Sequence, residues 1–358
     1  MDPIALLNQL IEWIAANRTL LLFLVCAGLG GGGAWLIAGI PFREELLDRP
    51  KERSSHDVPT PRGGGVGILM AFLVAGMTLR LPATFIVAVI LVSAVSLYGD
   101  YFRLSIKFRL AVQFLAAVVF LTPVAPRLGI LGDFTSLSAY PMLLPLILLL
   151  VLLFIVGTAN FYNFMDGING IAGVSGVIAF GLLGGYTLAV PPSFPGTAGF
   201  STLSICVALA CLGFLPFNMP RARVFVGDVG SILLGFAFAA LVIVLAGNYR
   251  ELICFASLLF PFYIDELTTM YVRLRAGENL LEPHRRHLYQ LLANEGGMEH
   301  WKVTALYGVL QLGMGIGILA ARAAGMVFVY LVLLAGCAVF ITATYRVRVK
   351  LEGSASTT

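Results

Sequence analysis

Residues Pro141–Gly170 read PMLLPLILLLVLLFIVGTANFYNFMDGING. The stretch 141–159 carries no charge, and a bilayer crossing takes about 20 mostly apolar residues in a helix. It runs straight into Asn160-Phe-Tyr-Asn163-Phe-Met-Asp166-Gly-Ile-Asn169-Gly170, and a second apolar run follows at 170–189. Polar chemistry set at the end of a span, rather than within a soluble sheet or bundle, decides the fold. The pattern predicts a polytopic helical membrane protein with its chemistry in the loops.

The rest of the chain repeats this alternation. Its 358 residues are 59% hydrophobic and 12% charged, with a mean hydropathy of +0.93. A soluble domain carries about 25% charged residues, so lipid is the expected solvent. Apolar runs at about 19–40, 64–80, 82–98, 108–123, 141–159, 170–189, 197–215, 231–247, 251–272, 303–321 and 325–345 give ten or eleven transmembrane helices. Breaks fall at Pro41, Arg80-Leu81-Pro82, Pro191-Pro192 and Gly247-Asn248. Gly30–Gly33 inside the first run would weaken a soluble helix; in a membrane, small residues let helix backbones approach closely. No internal repeat or heptad seam is visible, and the whole chain, 1–358, reads as a single membrane domain.

Every loop with chemical character follows an odd-numbered run: Asp48–Gly65, Gly99–Arg109, Asn160–Gly170, Pro216–Ser231 and Arg273–Lys302. Parity therefore gathers them on one face. That face, with the tail Arg346, Arg348 and Lys350, holds 18 of the 23 basic residues; the other holds Arg18, Arg80, Arg127, Arg250 and Arg322. The positive-inside rule makes the motif face cytoplasmic, with the N-terminus outside and the C-terminus inside. Met1–Ile14 has neither the basic start nor the small-residue cleavage site of a signal peptide, so it is expected to be retained. The five cysteines lie within apolar runs without metal-site spacing and read as small core residues.

Asp100, Asp166 and Asp228 each sit where a run meets a loop. A carboxylate at membrane depth is costly and usually has a partner or a task. Helix capping explains one such acid. Three on one face suit a hard cation, Mg²⁺, which takes a few carboxylates plus phosphate oxygens. The spacing of Asn160, Asn163 and Asp166 would set them on one helical stripe, where amides can bond phosphate or sugar hydroxyls; an interhelical polar contact is the plainer reading. Val224–Ser231 places Gly227, Asp228 and Gly230 before an apolar run, an arrangement that lets backbone N–H groups approach an anion. Pro283-His284-Arg285-Arg286-His287-Leu-Tyr289-Gln290 reads as a cationic clamp for phosphate; zinc binding and a solvated basic loop are the alternatives. Pro59-Thr60-Pro61-Arg62-Gly63-Gly64-Gly65 is a structural turn or a binding loop.

Taken together, Pro-Thr-Pro-Arg-Gly-Gly-Gly, Gly-Asp-x-x-x-Leu-Ser-x-x-x-Arg-Leu-x-x-Gln, Asn-x-x-Asn-x-x-Asp-Gly-x-Asn-Gly, Val-Phe-x-Gly-Asp-x-Gly-Ser and His-x-x-His-x-Tyr-Gln resemble the polyprenyl-phosphate N-acetylhexosamine-1-phosphate transferases. The match runs in order from about Ser54 to Gln290. The resemblance implies a bacterial inner-membrane enzyme that moves a sugar 1-phosphate from a UDP-N-acetylhexosamine to undecaprenyl phosphate, releasing UMP. It looks closer to enzymes that initiate O-antigen than to those of peptidoglycan synthesis.

Carried over residue by residue, the resemblance makes Asp100 and Asp166 catalytic. It gives Asp228 and Asp166 to Mg²⁺, with Mn²⁺ as a substitute. Substrate binding falls on Asn160, Asn163, Asn169, Asn218, Arg62, Arg109, His284, Arg285 and His287. The implied partners are the two substrates, the bilayer and a second copy of the chain, with no nucleic acid. Two departures stand out: Gly99 replaces the first of the family's paired aspartates, and Asn169 replaces an aspartate found in many members. Gly99 keeps open an impaired relative acting as a scaffold. A transporter with a proton relay fits less well, because the acids lie at span ends; Asp265-Glu266, within the ninth run, is the exception.

Overall fold

The computed structural model describes residues 16–39, 47–50, 55, 58–102, 104–124, 143–190, 196–279 and 284–355. The expectations for Met1–Ile14 and for the breaks at Pro41 and Pro191-Pro192 fall outside these residues. The described chain is almost entirely helical: α1 (Arg18–Gly39), α2 (Val66–Thr78), α3 (Ala83–Tyr101), α4 (Ile106–Val124), α5 (Leu143–Phe164), α6 (Ile171–Ala189), α7 (Ala198–Asn218), α8 (Gly227–Leu245), α9 (Tyr249–Ala256), α10 (Phe260–Arg275), the single turn α11 (Leu288–Gln290), α12 (His300–Ala324) and α13 (Met326–Ala355). Among the described residues the one sheet pairs β1 (Leu47–Asp48) antiparallel with β2 (Thr60–Pro61).

Among the described residues ten helical segments are long and apolar enough to cross a membrane, and α2 is a shorter apolar helix beside them. The eighth of these, Tyr249–Arg275, is broken by a 3₁₀ turn at Ser257–Leu259, just ahead of Pro261. A proline there lacks the N–H that would continue the helix. Large apolar side chains such as Leu24, Val309 and Leu334 point outward. Apolar surface on that scale needs an apolar surrounding. The protein is an all-α, multi-pass membrane protein.

The axis is α8. Its most apolar window is 89% buried, against 17% for α13. A helix that is apolar all round belongs at a centre, and α3, α5, α6 and α7 enclose it. The glycines of α1 find their purpose in this packing. A Cβ on Gly30 would lie 2.0 Å from the Ala210 carbonyl oxygen of α7, and one on Gly33 would lie 2.3 Å from Cα of Gly67 in α2. The helices touch backbone to backbone, as the small-residue reading expects.

At the end of the bundle remote from the motif loops, Glu251 accepts from the Gly247 N–H at 2.8 Å and pairs with Arg322, whose other nitrogen donates to the Tyr186 hydroxyl at 2.5 Å. One lone charge of that face thus ties α6, α9 and α12 together.

Candidate active site

The glycine loop is laid against the start of α8. Gly64 N–H donates to the Phe225 carbonyl and Gly65 N–H to the Val226 carbonyl, both at 2.9 Å, while Phe225 N–H donates to Pro61 at 2.8 Å. A Cβ on Gly65 would stand 2.4 Å from the Gly230 Cα, so only glycine permits this approach. Gly227 opens α8 with φ +73°, and a Cβ there would meet the Gly63 nitrogen at 2.9 Å and the Asp100 carboxylate at 3.0 Å.

Asp228 stands in the first turn of α8. One carboxylate oxygen accepts from Asn163 Nδ2 at 2.9 Å, and the other pairs with Arg109 at 2.5 Å. The same Asn163 nitrogen donates to Ser231 Oγ at 2.8 Å. Asp100 arrives from the end of α3 and accepts the Asp228 and Val229 N–H groups at 3.2 and 3.4 Å. It caps α8 from a neighbouring helix, with its negative charge at the positive end of the helix dipole. The capping role considered for a lone acid therefore describes Asp100 in geometry, though the helix it caps is not its own.

Asp166 lies beyond the end of α5, in a turn where its N–H donates to Asn163 at 3.2 Å. It leaves the helical stripe that carries Asn160 and Asn163. Its carboxylate lines the cleft with no hydrogen-bond partner among the described residues. Burial, and then the charge of Asp228, push its pKa well up. Two mutually repelling oxygens facing one cleft, one of them unpartnered, fit a hard divalent cation. Among the described residues no cluster of three or more His, Cys, Asp or Glu is placed to hold a metal. Such a cation would therefore complete its shell with phosphate and water oxygens, as Mg²⁺ does.

The cleft encloses about 350 Å³ and is lined by Arg62, Asn163, Asp166, Asn169, Asn218 and Asp228, together with His284, Gln290 and His300. Arg62 is held by Asp48 at 2.5 Å. Asn218 accepts from Gly170 N–H at 2.6 Å and donates to Val224 at 2.9 Å, which ties the asparagine loop to the α8 approach. A neighbouring cavity of about 620 Å³ shares Asn169, Phe225 and His300 and adds Arg221 and Trp301.

Asp100 and Arg109 reach the cleft only through Asp228, and three further expected residues stand back from it. Asn160 donates to Gln113 Oε1 at 2.6 Å and to the Val156 carbonyl, so two motif positions hold each other. Arg285 is exposed and lies 3.6 Å from Glu295. His287 is buried between Tyr289, on which its ring stacks at 5.6 Å, and His284, whose tilted ring lies at 4.8 Å. Asp48 and His300 were not legible as cleft residues, because each reaches the site only through distant contacts. His300 Nδ1 accepts the Asn169 N–H at 3.4 Å, and Thr304, one helical turn on, donates to the Asn169 carbonyl at 2.8 Å.

Burial first, then the charges of His287 and Arg273, lower the His284 pKa to about 4. Its Nδ1 accepts the Arg286 N–H at 3.3 Å, so the neutral ring keeps Nε2–H as a donor. The folded value lies below the ordinary 6.5, so the unfolded chain binds more protons between these two values. Folding stability should therefore fall as pH drops from about 6.5 to about 4. The melting temperature of wild type should fall relative to that of His284→Gln as pH drops through that window, and parallel curves would contradict the assignment.

At position 99 there is room. A Cβ would meet only Leu104, at an ordinary 3.7 Å. Gly99→Asp should fold with an unchanged melting temperature. It should also alter turnover by less than about threefold near pH 8, because a phosphate monoester with a pKa near 6 is already ionised there. A gain of two orders of magnitude in the same assay would show that the natural chain is impaired.

A model of the family described as "Glycosyl transferase family 4" matches residues 82–246, which carry all three aspartates. The chain is 33% identical over 169 residues to the decaprenyl-phosphate N-acetylglucosaminephosphotransferase of Mycolicibacterium smegmatis, an alignment covering 42% of this chain and 38% of that protein. To the Mycobacterium leprae protein of the same name it is 28% identical over 331 residues, 82% of this chain and 80% of that one. To the undecaprenyl-phosphate alpha-N-acetylglucosaminyl 1-phosphate transferase of Thermotoga maritima it is 29% identical over 265 residues, 73% of this chain and 76% of that one. Residues 82–246 thus match glycosyl transferase family 4, and the relatives aligned over most of the chain are named as polyprenyl-phosphate N-acetylglucosamine phosphotransferases.

Proposed function

We propose that this protein transfers an N-acetylhexosamine 1-phosphate from a UDP-sugar to polyprenyl phosphate, the first membrane step of O-antigen or a related envelope polysaccharide. An oxygen of the lipid phosphate attacks the β-phosphorus. The bond from that phosphorus to the bridging oxygen breaks, UMP leaves, and the lipid carries a diphosphate-linked sugar. The observation that carries this reading is the pairing of Asp228 with Asn163 and Arg109, opposite an unpartnered Asp166, at the end of an apolar bundle. The basic bias of the loops supports a cytoplasmic position for that end, at an inner membrane, where nucleotide-sugars are found.

Phosphoryl transfer depends on positioning and charge neutralisation more than on covalent chemistry. Mg²⁺ held by Asp228 and Asp166 would neutralise pyrophosphate charge. Asn163 fixes the rotamer of Asp228 through its bonds to Asp228 and Ser231. Arg109 and Arg62 place cationic charge at the cleft edge, and His284 offers a neutral donor. Asp166, which lines the cleft without a hydrogen-bond partner among the described residues, is the side chain placed to take any proton that remains on the lipid phosphate. Asp100 acts through the backbone of α8, holding the turn that presents Asp228.

The test is UMP release by purified protein with undecaprenyl phosphate, Mg²⁺ and a panel of UDP-sugars: UDP-GlcNAc and its deoxy-N-acetyl relatives such as UDP-FucNAc and UDP-QuiNAc. UMP should form with one donor and only when the lipid is present. Silence across the panel would favour a scaffold, for which the glycine at position 99 is the supporting observation.

A further inference from the structure

Asp265 has no part in the chemistry described so far, yet among the described residues it is the most heavily engaged acid. It lies in α10 with no exposed surface. One carboxylate oxygen accepts the Leu288 N–H at 2.9 Å, and the other accepts the Tyr289 N–H at 3.4 Å and the Tyr307 hydroxyl at 2.6 Å. Thr269 Oγ1, one turn along α10, is 3.3 Å away. The His287 ring adjoins both acids, with Nδ1 3.7 Å from Asp265 and Nε2 3.4 Å from Glu266.

Those two amides open α11, and α11 sets the cleft wall. Tyr289 donates to the Phe164 carbonyl at 2.9 Å, at the end of α5. Its hydroxyl and Gln290 crowd Gly167, where a Cβ would lie 2.2 Å from the Tyr289 oxygen. His284 packs against His287, ring centroids 4.8 Å apart and tilted by 41°. Moving α11 by one ångström would therefore shift Gln290, His284 and the turn that carries Asp166. A buried carboxylate is costly unless its oxygens are satisfied. Here the satisfaction comes mainly from the segment that must be held in place.

We infer that Asp265 is the positioning residue for the histidine segment: it receives the Leu288 and Tyr289 amides and so fixes His284 and Gln290 against the nucleotide-sugar. The second half of this statement rests on the transferase reading; the first does not. The charge of Asp265 never meets substrate.

The experiment uses the full chain in nanodiscs and three variants, Asp265→Ala, Asp265→Asn and Tyr307→Phe. Amide hydrogen exchange is read on peptides covering residues 285–291. Asp265→Ala should exchange there about tenfold faster than wild type with α8 unchanged, and the other two should shift the same way by less. Kinetically, KM for the nucleotide-sugar should rise about tenfold while KM for polyprenyl phosphate holds. A merely structural defect would instead lower the active fraction, reducing kcat at constant KM, and that result would overturn the assignment. Unchanged exchange at 285–291 would overturn it as well. Should Asp265→Ala fail to fold, Asp265→Asn and Tyr307→Phe carry both readouts. If wild type releases no UMP, the transferase reading falls and exchange alone decides whether Asp265 anchors the segment.

Discussion

Asp228→Asn is expected to lower UMP release by at least about two orders of magnitude, the scale on which a major electrostatic group is lost from an active site. The substitution keeps the shape of the side chain and its ability to accept from Asn163, now at 2.9 Å. It removes the charge that meets Arg109. That pair is about a quarter exposed on each side, and ion pairs in contact with solvent contribute about 0–1 kcal/mol. The melting temperature should therefore change little while the rate collapses. Activity within about threefold of wild type would remove Asp228 from the chemistry and leave it a structural acid.

Gly65→Val should have the next largest effect, through a different cause. The new Cβ would lie 2.4 Å from the Gly230 Cα, 2.7 Å from its nitrogen and 2.8 Å from the Val226 carbonyl oxygen. All three are backbone atoms of α8 or its approach, so no rotamer change relieves the clash. Overpacking of this kind costs about 1–3 kcal/mol and is met by moving backbone. The loop would lift from α8, breaking the Gly64 and Gly65 bonds and carrying Arg62 away from the cleft. A lower melting temperature and at least about tenfold slower turnover are expected. Gly32→Ala, which meets nothing within 4 Å, should behave as wild type in both measurements. An unaffected Gly65→Val protein would show that the loop does not seat on α8 as described.

The spans were legible because length and apolarity are local properties. The expected runs and the observed helices agree to within about five residues, except that α13 continues to Ala355, ten residues past the expected end, and even the short α2 falls in the second run. What hydropathy cannot show is which span is central, since lipid and protein interior select the same residues. The central position of α8 emerges only from its neighbours.

The site divides in the same way. Asp166 and Asp228 were marked by charge placed at span ends, and both line the cleft. The helical stripe of Asn160, Asn163 and Asp166 did not survive, because α5 ends at Phe164 and Asn160 turns to Gln113. His287 and His284 look equivalent in sequence, but Asp265 and Glu266, more than twenty residues earlier, sit beside His287 behind the wall. His300 carried no motif at all and reaches the cleft as the first residue of α12. Each of these outcomes depends on a pairing between distant segments.

The central claim is that the phosphate beside the sugar moves with it. UDP-sugar labelled on the β-phosphorus tests this directly when incubated with the protein, Mg²⁺ and undecaprenyl phosphate, with the label followed into lipid and water phases. The account predicts β-label in the lipid and unlabelled UMP in the water, with both lost in Asp228→Asn. Label remaining in UDP while sugar enters the lipid, or no labelled lipid with any donor, would contradict it.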